Sequence, residues 1–423
     1  MIYMNITRFE PDTGALVVVD ARVGPGEERR DGRGLLLVPG FVDLHAHLRE
    51  PGFEASETVA SGARAALVGG FTTICAMPNT EPALDAPGQI AELLARGDAA
   101  PAARVLPIGA ITRGRKGKAL ADLVELAAAG CVMFSDDGSP VADARLFRNA
   151  LTYARTTGRP VGEHAQDLDL SGEGVMHEGA VSAALGLAGM PAAAEDGAVA
   201  RDLALARETG ARLHITHVST VGAVELVRRA KADGLAVTAE VTPHHLALTD
   251  DWVAGSRTFA WESERRPRAM AYDASTKVNP PLRTLADVRA CWAGLVDGTI
   301  DAIATDHAPH SSERKDVEYQ EAAFGISGFE TALPLVLGGV RAGWASLATV
   351  VAALTSGPSR VLGRTLQSDD LVVFDPDLEW TLDSFVSKGR NSPVAGQRLR
   401  GRVLLAVVGG EIRYDALVQR GEK

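Results

Sequence analysis

The sequence predicts an α/β chain: a closed (β/α)₈ barrel of the TIM type, with a small β-sandwich domain built from the N- and C-terminal segments. Three observations carry that expectation. Short apolar, β-branched runs recur through the middle of the chain, each ending in polar or turn residues. Most are followed by an Ala/Leu/Arg-rich stretch of helical character. Most of the ten histidines lie at or near the ends of those runs. Strands alternating with helices imply a parallel sheet, and eight such units imply closure, with functional residues gathered where the strands end.

In chain order the runs are FVDLHAHL (41–48), FTTICAMPN (71–79), ARVLPIGAIT (103–112), CVMFSDD (131–137), PVGEHAQD (160–167), ARLHITHVS (211–219), LAVTAEVTPHH (235–245) and TIDAIATDHAPH (299–310). Between them amphipathic helices are expected at Glu57–Val68, Asp143–Thr156, Asp196–Thr209, Thr220–Ala232 and Thr284–Val296. No GxGxxG follows the first strand, which argues against an open doubly wound sheet. The flanks read differently. Residues 1–38 and 366–423 carry strand-like runs such as ALVVVDARV, LVVFDPD and RVLLAVVGGEIRYD, expected to fold together beside a barrel spanning 39–365. Residues 250–276 are polar and irregular and read as a long surface loop after strand seven.

Composition bounds the function. The chain has 423 residues, 46% hydrophobic and 23% charged, with a net charge of −11. Such acidity is a poor match for nucleic acid or an anionic membrane surface, so neither is an expected partner. A small anionic substrate would need a local cluster of basic groups. Cys75, Cys131 and Cys291 form no CxxC pair and sit among apolar neighbours, which suggests a reducing, cytoplasmic home. No targeting segment and no 18-residue apolar stretch is visible.

The chemistry gathers at the strand ends. His45 and His47 form an H-x-H pair that period-two alternation puts on one face, where two imidazoles can take one borderline-soft cation. Asp137, His164, His217 and Asp306 close four further strands. Four imidazoles and two carboxylates suit zinc better than magnesium and leave manganese, cobalt and iron open. Two metals sharing a water would bring its pKa towards neutrality, and a neighbouring aspartate, for which Asp306 is the candidate, would take its proton and pass it to a leaving nitrogen.

With these motifs in view, the sequence resembles the dihydroorotases of the amidohydrolase superfamily, specifically the longer bacterial type I enzymes. VPGFVDLHAHLREPG, AMPNT, FSDDG, HITHVS, AEVTPHHL, NPPLR, IATDHAPH and AAFGISGFETALP carry the likeness, in the family's order, from about residue 36 onward. The resemblance implies reversible hydrolysis of dihydroorotate to N-carbamoyl-aspartate within pyrimidine synthesis. It implies metal ligands His45, His47, Asp137, His164, His217 and Asp306, with Asp137 rather than Asp136 bridging two zinc ions, one ion being the alternative, and with Asp306 also the catalytic acid/base. By the same carry-over Arg49, Asn79 and His310 hold the substrate carboxylate, while His47, Leu48, Asn279 and the backbone at Phe324 and Gly325 complete the substrate site. An arginine fork independently suits a carboxylate. A homodimer, and association with an aspartate transcarbamoylase, are the protein partners it suggests. Three features depart from the pattern: Gln166 stands where relatives often carry Glu, the 250–276 loop is longer than usual, and the N-terminal flank is short.

Blander readings compete residue by residue. His177, His214, His244, His245 and His307 read as supporting or core histidines, Arg49 as a surface partner of Glu50 or Glu54, and Asn79 as turn chemistry. Two rival functions remain. Hydantoinases, dihydropyrimidinases and allantoinases generally bridge their metals with a carboxylated lysine on strand four, whereas this strand ends Ser135-Asp136-Asp137. A catalytically dead scaffold for a transcarbamoylase would be expected to lose ligands, and all six positions are filled.

Overall fold

The structure, a computed structural model, describes residues 1–416. Eight parallel strands follow one another around a barrel: Phe41–Ala46, Phe71–Ala76, Arg104–Gly109, Met133–Phe134, Val161–Glu163, Leu213–Ile215, Val237–Val241 and Ala302–Ile303. Each falls inside one of the expected runs. The last strand meets the first through polar groups: Thr305 N and Oγ1 donate to the two carboxylate oxygens of Asp43 at 2.9 and 2.5 Å, and His47 N donates to the His307 carbonyl at 2.8 Å. Burial pushes the Asp43 carboxyl up to about 7. Below the histidines, Val42, Leu44, Cys75, Ile108, Met133 and Ala304 meet in one buried cluster.

The helices begin where side chains can satisfy their free N–H groups. Thr58 and Ser61 form a capping box at Val59–Val68, Thr284 and Asp287 another at Leu285–Val296, and Asp143 and Thr220 cap Ala144–Arg155 and Val221–Ala232. The expected boundary at Glu57 therefore shifts: its carboxylate is buried and accepts hydrogen bonds from Ser61 and Ser387. The helix expected from Asp196 starts earlier, at Ala192, directly after Pro191.

Both chain ends enter a single seven-stranded sheet. Its order is Glu411–Asp415, Arg398–Val408, Leu371–Thr381, Leu36–Pro39, Ile2–Phe9, Leu16–Arg22, with Arg29–Asp31 also pairing to Ile2–Phe9. Met1, Tyr3, Ile6, Val373, Leu405 and Val407 give this sheet a small core of its own. It seats on the barrel through aromatic contact, Phe41 lying 5.7 Å from Phe71 and 6.5 Å from Phe374 between ring centroids. Gly70 (φ 89°) makes that approach feasible, since a Cβ there would meet the Phe41 ring at 2.8 Å. Residues 417–423 of the expected terminal domain lie outside the described residues.

The 250–276 segment differs from a surface loop. Trp252 and Phe259 are buried, Phe259 stacks on Trp261 at 5.1 Å, and Trp252 Nε1 donates to the Thr258 carbonyl. These aromatics join Leu335, Leu382 and Leu399 in a core between barrel and sheet, and the exposed residues concentrate around 263–270. Its polar composition had hidden three aromatic anchors.

Candidate active site

Six side chains expected as ligands converge at the C-terminal end of the barrel. The His45 and His47 rings are 5.3 Å apart, His45 and His217 5.1 Å, His164 and His217 4.6 Å. Between them stand two carboxylates. Asp306 Oδ1 lies 2.9 Å from His47 Nε2 and 3.6 Å from His45 Nε2, while Asp137 Oδ1 lies 3.3–3.4 Å from His45 Nε2, His164 Nδ1 and His217 Nε2. Ligand atoms of His45, His47 and Asp306, and of His45, Asp137 and His217, lie within 4.8 Å of one another.

His45 shows why a cation fits. Its Nδ1 is 2.8 Å from Glu240 Oε1, and the carboxylate can only accept, so Nδ1 carries a hydrogen and, in the neutral ring that binds a cation, Nε2 holds the lone pair. That Nε2 is buried without a hydrogen-bond partner and faces the two aspartates. A buried lone pair among carboxylates is costly by itself and is satisfied by a divalent ion. Although burial pushes Asp137 and Asp306 upwards, the surrounding imidazoles hold both well below the usual carboxylate range.

The adjacent aspartates are separated by what they touch. Asp136 accepts from Ile111 N, Thr112 N and Thr112 Oγ1 and so fastens the strand-three loop, whereas Asp137 turns to the histidines. Arg115 secures this corner by donating to the carbonyls of Asp136 and Asp137 and to Ser139 Oγ. Backbone strain concentrates here as well: Arg49, Arg115, His217 and Asp306 have φ of 63°, 55°, 33° and 44°. Non-glycine residues held there cost about 1–3 kcal/mol each and cluster at functional sites.

A polar chain leads from His164 outward. His164 Nε2 lies 2.9 Å from Gln166 Oε1, an acceptor, which leaves Nδ1 to face Asp137. Asn279 Nδ2 donates to the same oxygen at 2.9 Å. Asn79 Oδ1 accepts from His47 Nδ1 at 2.8 Å, so this side chain does more than make a turn.

Basic groups gather on the opposite wall. Arg49 Nε donates to the Pro309 carbonyl at 3.1 Å, and its Nη2 lies 3.3 Å from His310 Nε2. Glu50 instead pairs with Arg96, so Arg49 is no surface partner of that residue. Burial lowers Arg49 to about 10, and burial beside Arg49 lowers His310 to about 2. His310 Nε2 donates to the Phe324 carbonyl at 2.8 Å. Lys277 reaches over the Phe324 ring, 4.5 Å from its centroid, and donates to the Gln320 carbonyl, while Lys315 donates to the carbonyls of Ala274 and Lys277. These bonds stitch the loop after strand eight to the turn before Asn279. Leu48 is the exception among the expected substrate residues: its side chain is buried and packs close to Gly62, so only its backbone is offered to a ligand.

Of the remaining histidines His214 braces the centre through Glu240, and the others are held in the surrounding framework. His214 Nε2 binds the second oxygen of Glu240 at 3.0 Å, His245 spans Thr242 Oγ1 and the Pro280 carbonyl, and His307 stacks on Phe329 at 4.0 Å. His177 takes a hydrogen bond from Arg283. His244 is buried with Nε2 unpartnered and lowered to about 4 by burial. Glu240 itself was missed by the sequence reading. The available signal was an acid inside the apolar VTAEV strand, where a buried carboxylate requires partners.

A family profile described as Dihydro-orotase-like matches residues 34–223. The dihydroorotase of Anaeromyxobacter dehalogenans (strain 2CP-C) is 53% identical over 412 residues, covering 95% of this chain and 92% of the relative. The chain belongs to the dihydroorotase family. The dihydroorotase of Pelotomaculum thermopropionicum is 51% identical over 396 residues, covering 92% and 89%. Among solved structures, the L-hydantoinase (dihydropyrimidinase) from Arthrobacter aurescens superposes with a TM-score of 0.80 at 25% identity, over 97% of this chain and 95% of that one. A D-hydantoinase at 24% identity (TM-score 0.77, 98% and 95%) supports the fold alone. The dihydroorotase family and the hydantoinase-like barrel thus agree on architecture.

Proposed function

We propose that this chain is a zinc-dependent dihydroorotase that reversibly hydrolyses the cyclic amide of dihydroorotate to N-carbamoyl-aspartate. The observation that carries this reading is the pairing of a four-imidazole, two-carboxylate centre with a wall formed by Arg49 and His310. His45, His47, His164, His217, Asp137 and Asp306 would hold two zinc ions, with Asp137 the proposed shared ligand and a single ion the alternative. Zinc bound there supplies Lewis acidity, easing deprotonation of water and polarising the scissile carbonyl.

This chain's residues do the rest. Asp306, ionised among imidazoles, takes a proton from the attacking water and returns it to the departing ring nitrogen; in ring closure the same carboxyl works in reverse. Arg49 meets the substrate carboxylate as a fork, with Asn79 and His310 beside it. Asn279, Leu48 and the backbone at Phe324 and Gly325 orient the ring. Steady-state assay of ring opening tests the assignment. Purified protein should turn over dihydroorotate and Asp306→Asn should not; near-normal rates in the variant would remove Asp306 from the mechanism.

Among the described residues no helix is long and apolar enough to cross a membrane, and the three cysteines are free and buried. We read the enzyme as a cytoplasmic homodimer. Sedimentation with and without an added aspartate transcarbamoylase tests both that state and the association.

A further inference from the structure

The segment joining Leu371–Thr381 to Arg398–Val408 leaves the terminal sheet and crosses the mouth of the barrel. Its backbone is laid tightly on the strand-eight loop: a Cβ on Gly389 would meet Pro309 Cβ at 2.4 Å. Ser387 Oγ donates to Glu57 at 2.5 Å, and Ser327 Oγ lies 3.0 Å from the Gly389 carbonyl. At its centre stands Asn391, 4% exposed.

Asn391 uses every hydrogen-bonding capacity of its amide. Oδ1 accepts from His310 N at 2.9 Å and lies 2.9 Å from Ser327 Oγ, whose single hydrogen it shares with the Gly389 carbonyl. Nδ2 donates to the Ala308 carbonyl at 3.0 Å and to the Gly325 carbonyl at 2.9 Å. Two loops are thereby fixed to each other by one side chain, the loop that ends in His310 and the loop that presents Phe324 and Gly325. Their spacing is tight, because Gly325 has a φ of 143° and a Cβ there would lie 3.1 Å from His310 Nε2. The next residue, Ser392, is equally buried, yet its hydroxyl has no partner.

We propose that Asn391 is a positioning residue for substrate, holding His310 and the Gly325 backbone at the separation that lets them close on one ring and its carboxylate. The inference rests on the reading of His310 and Gly325 as substrate contacts. A side chain donated by the terminal sheet thus belongs to the recognition wall of the barrel.

Kinetics of the zinc-loaded full chain with dihydroorotate test it. Asn391→Ala should raise KM by about tenfold or more while kcat stays within about threefold, the pattern of lost binding shared by ground and transition states. Ser392→Ala, a change of similar size in the same segment, should leave both unchanged. If Asn391 acts through His310, the KM penalties of N391A and H310A should combine to well below their product, as coupled neighbours do. Asn391→Asp keeps the size and both acceptor bonds but sets a carboxylate against two carbonyl oxygens; it should reproduce the KM rise and serves where N391A fails to fold. An unchanged KM in N391D, or penalties that multiply fully, overturns the role of Asn391 even when H310A raises KM. An unchanged KM in H310A overturns the substrate-contact reading and the inference with it.

Discussion

Asp137 and Asp306 carry the same carboxylate into the same cluster, and their neighbours divide the work between them. Asp137 lies 3.3–3.5 Å from four imidazoles on three strands, whereas Asp306 makes its shortest contact with His47, at 2.9 Å, on a strained backbone. Asp137→Ala should therefore release metal and turnover together, measured by metal content and by rate. Asp306→Asn should hold metal and lose turnover by at least about a thousandfold, consistent with removal of a general acid/base. Arg49→Ala should act mainly on KM. Glu240, which holds His45 and His214 together and is kept at about 2 because bonds from both outweigh burial, would orient His45 as a ligand from behind. Glu240→Gln should weaken zinc binding by about 10–100-fold in a competitive chelator titration; unchanged affinity would show that His45 needs no such support. The ligand candidates were legible because each closes a strand run. Glu240 and Asn391 were not, because their partners lie 195 and 81 residues away in sequence.

At the scale of elements, the expected helices that open on their capping residue, at Asp143, Thr220 and Thr284, begin where expected, while the 250–276 segment departs from a surface loop because two buried aromatics and a partly buried third are diluted among polar residues. Trp252→Ala should cost about 3–5 kcal/mol of stability in denaturant unfolding, as for a fully buried aromatic. The helix Phe329–Arg341 offers a pH test. Glu330, in its first turn, accepts from Val386 N, and burial raises its carboxyl from 4.5 to about 7. The folded chain then holds a proton that the unfolded chain releases between those values, so stability falls as pH rises through this window and stays lower above it. Glu330→Gln keeps the acceptor and removes the titration. It should stabilise the protein at pH 8, by at most about 3 kcal/mol, and scarcely at pH 4. A gain equal at both pH values would contradict this account.

On the scale of the whole molecule, alternation of strand and helix announced the barrel, and its closure appears in the pairing of Asp43 with Thr305. What alternation cannot announce is how the terminal sheet engages the site. The Phe41–Phe374 contact seats that sheet, and its long connection then crosses the mouth to reach Ala308, His310 and Gly325. In the proposed function, Arg49 beside His310 is the feature that would favour a ring bearing a carboxylate.

The most direct test is therefore a comparison of purified protein acting on dihydroorotate, hydantoin and dihydrouracil, before and after chelation and again after zinc is restored. Turnover confined to dihydroorotate, lost with chelator and regained with zinc, is the predicted result. Preference for an uncharged ring, or turnover indifferent to chelation, would contradict it.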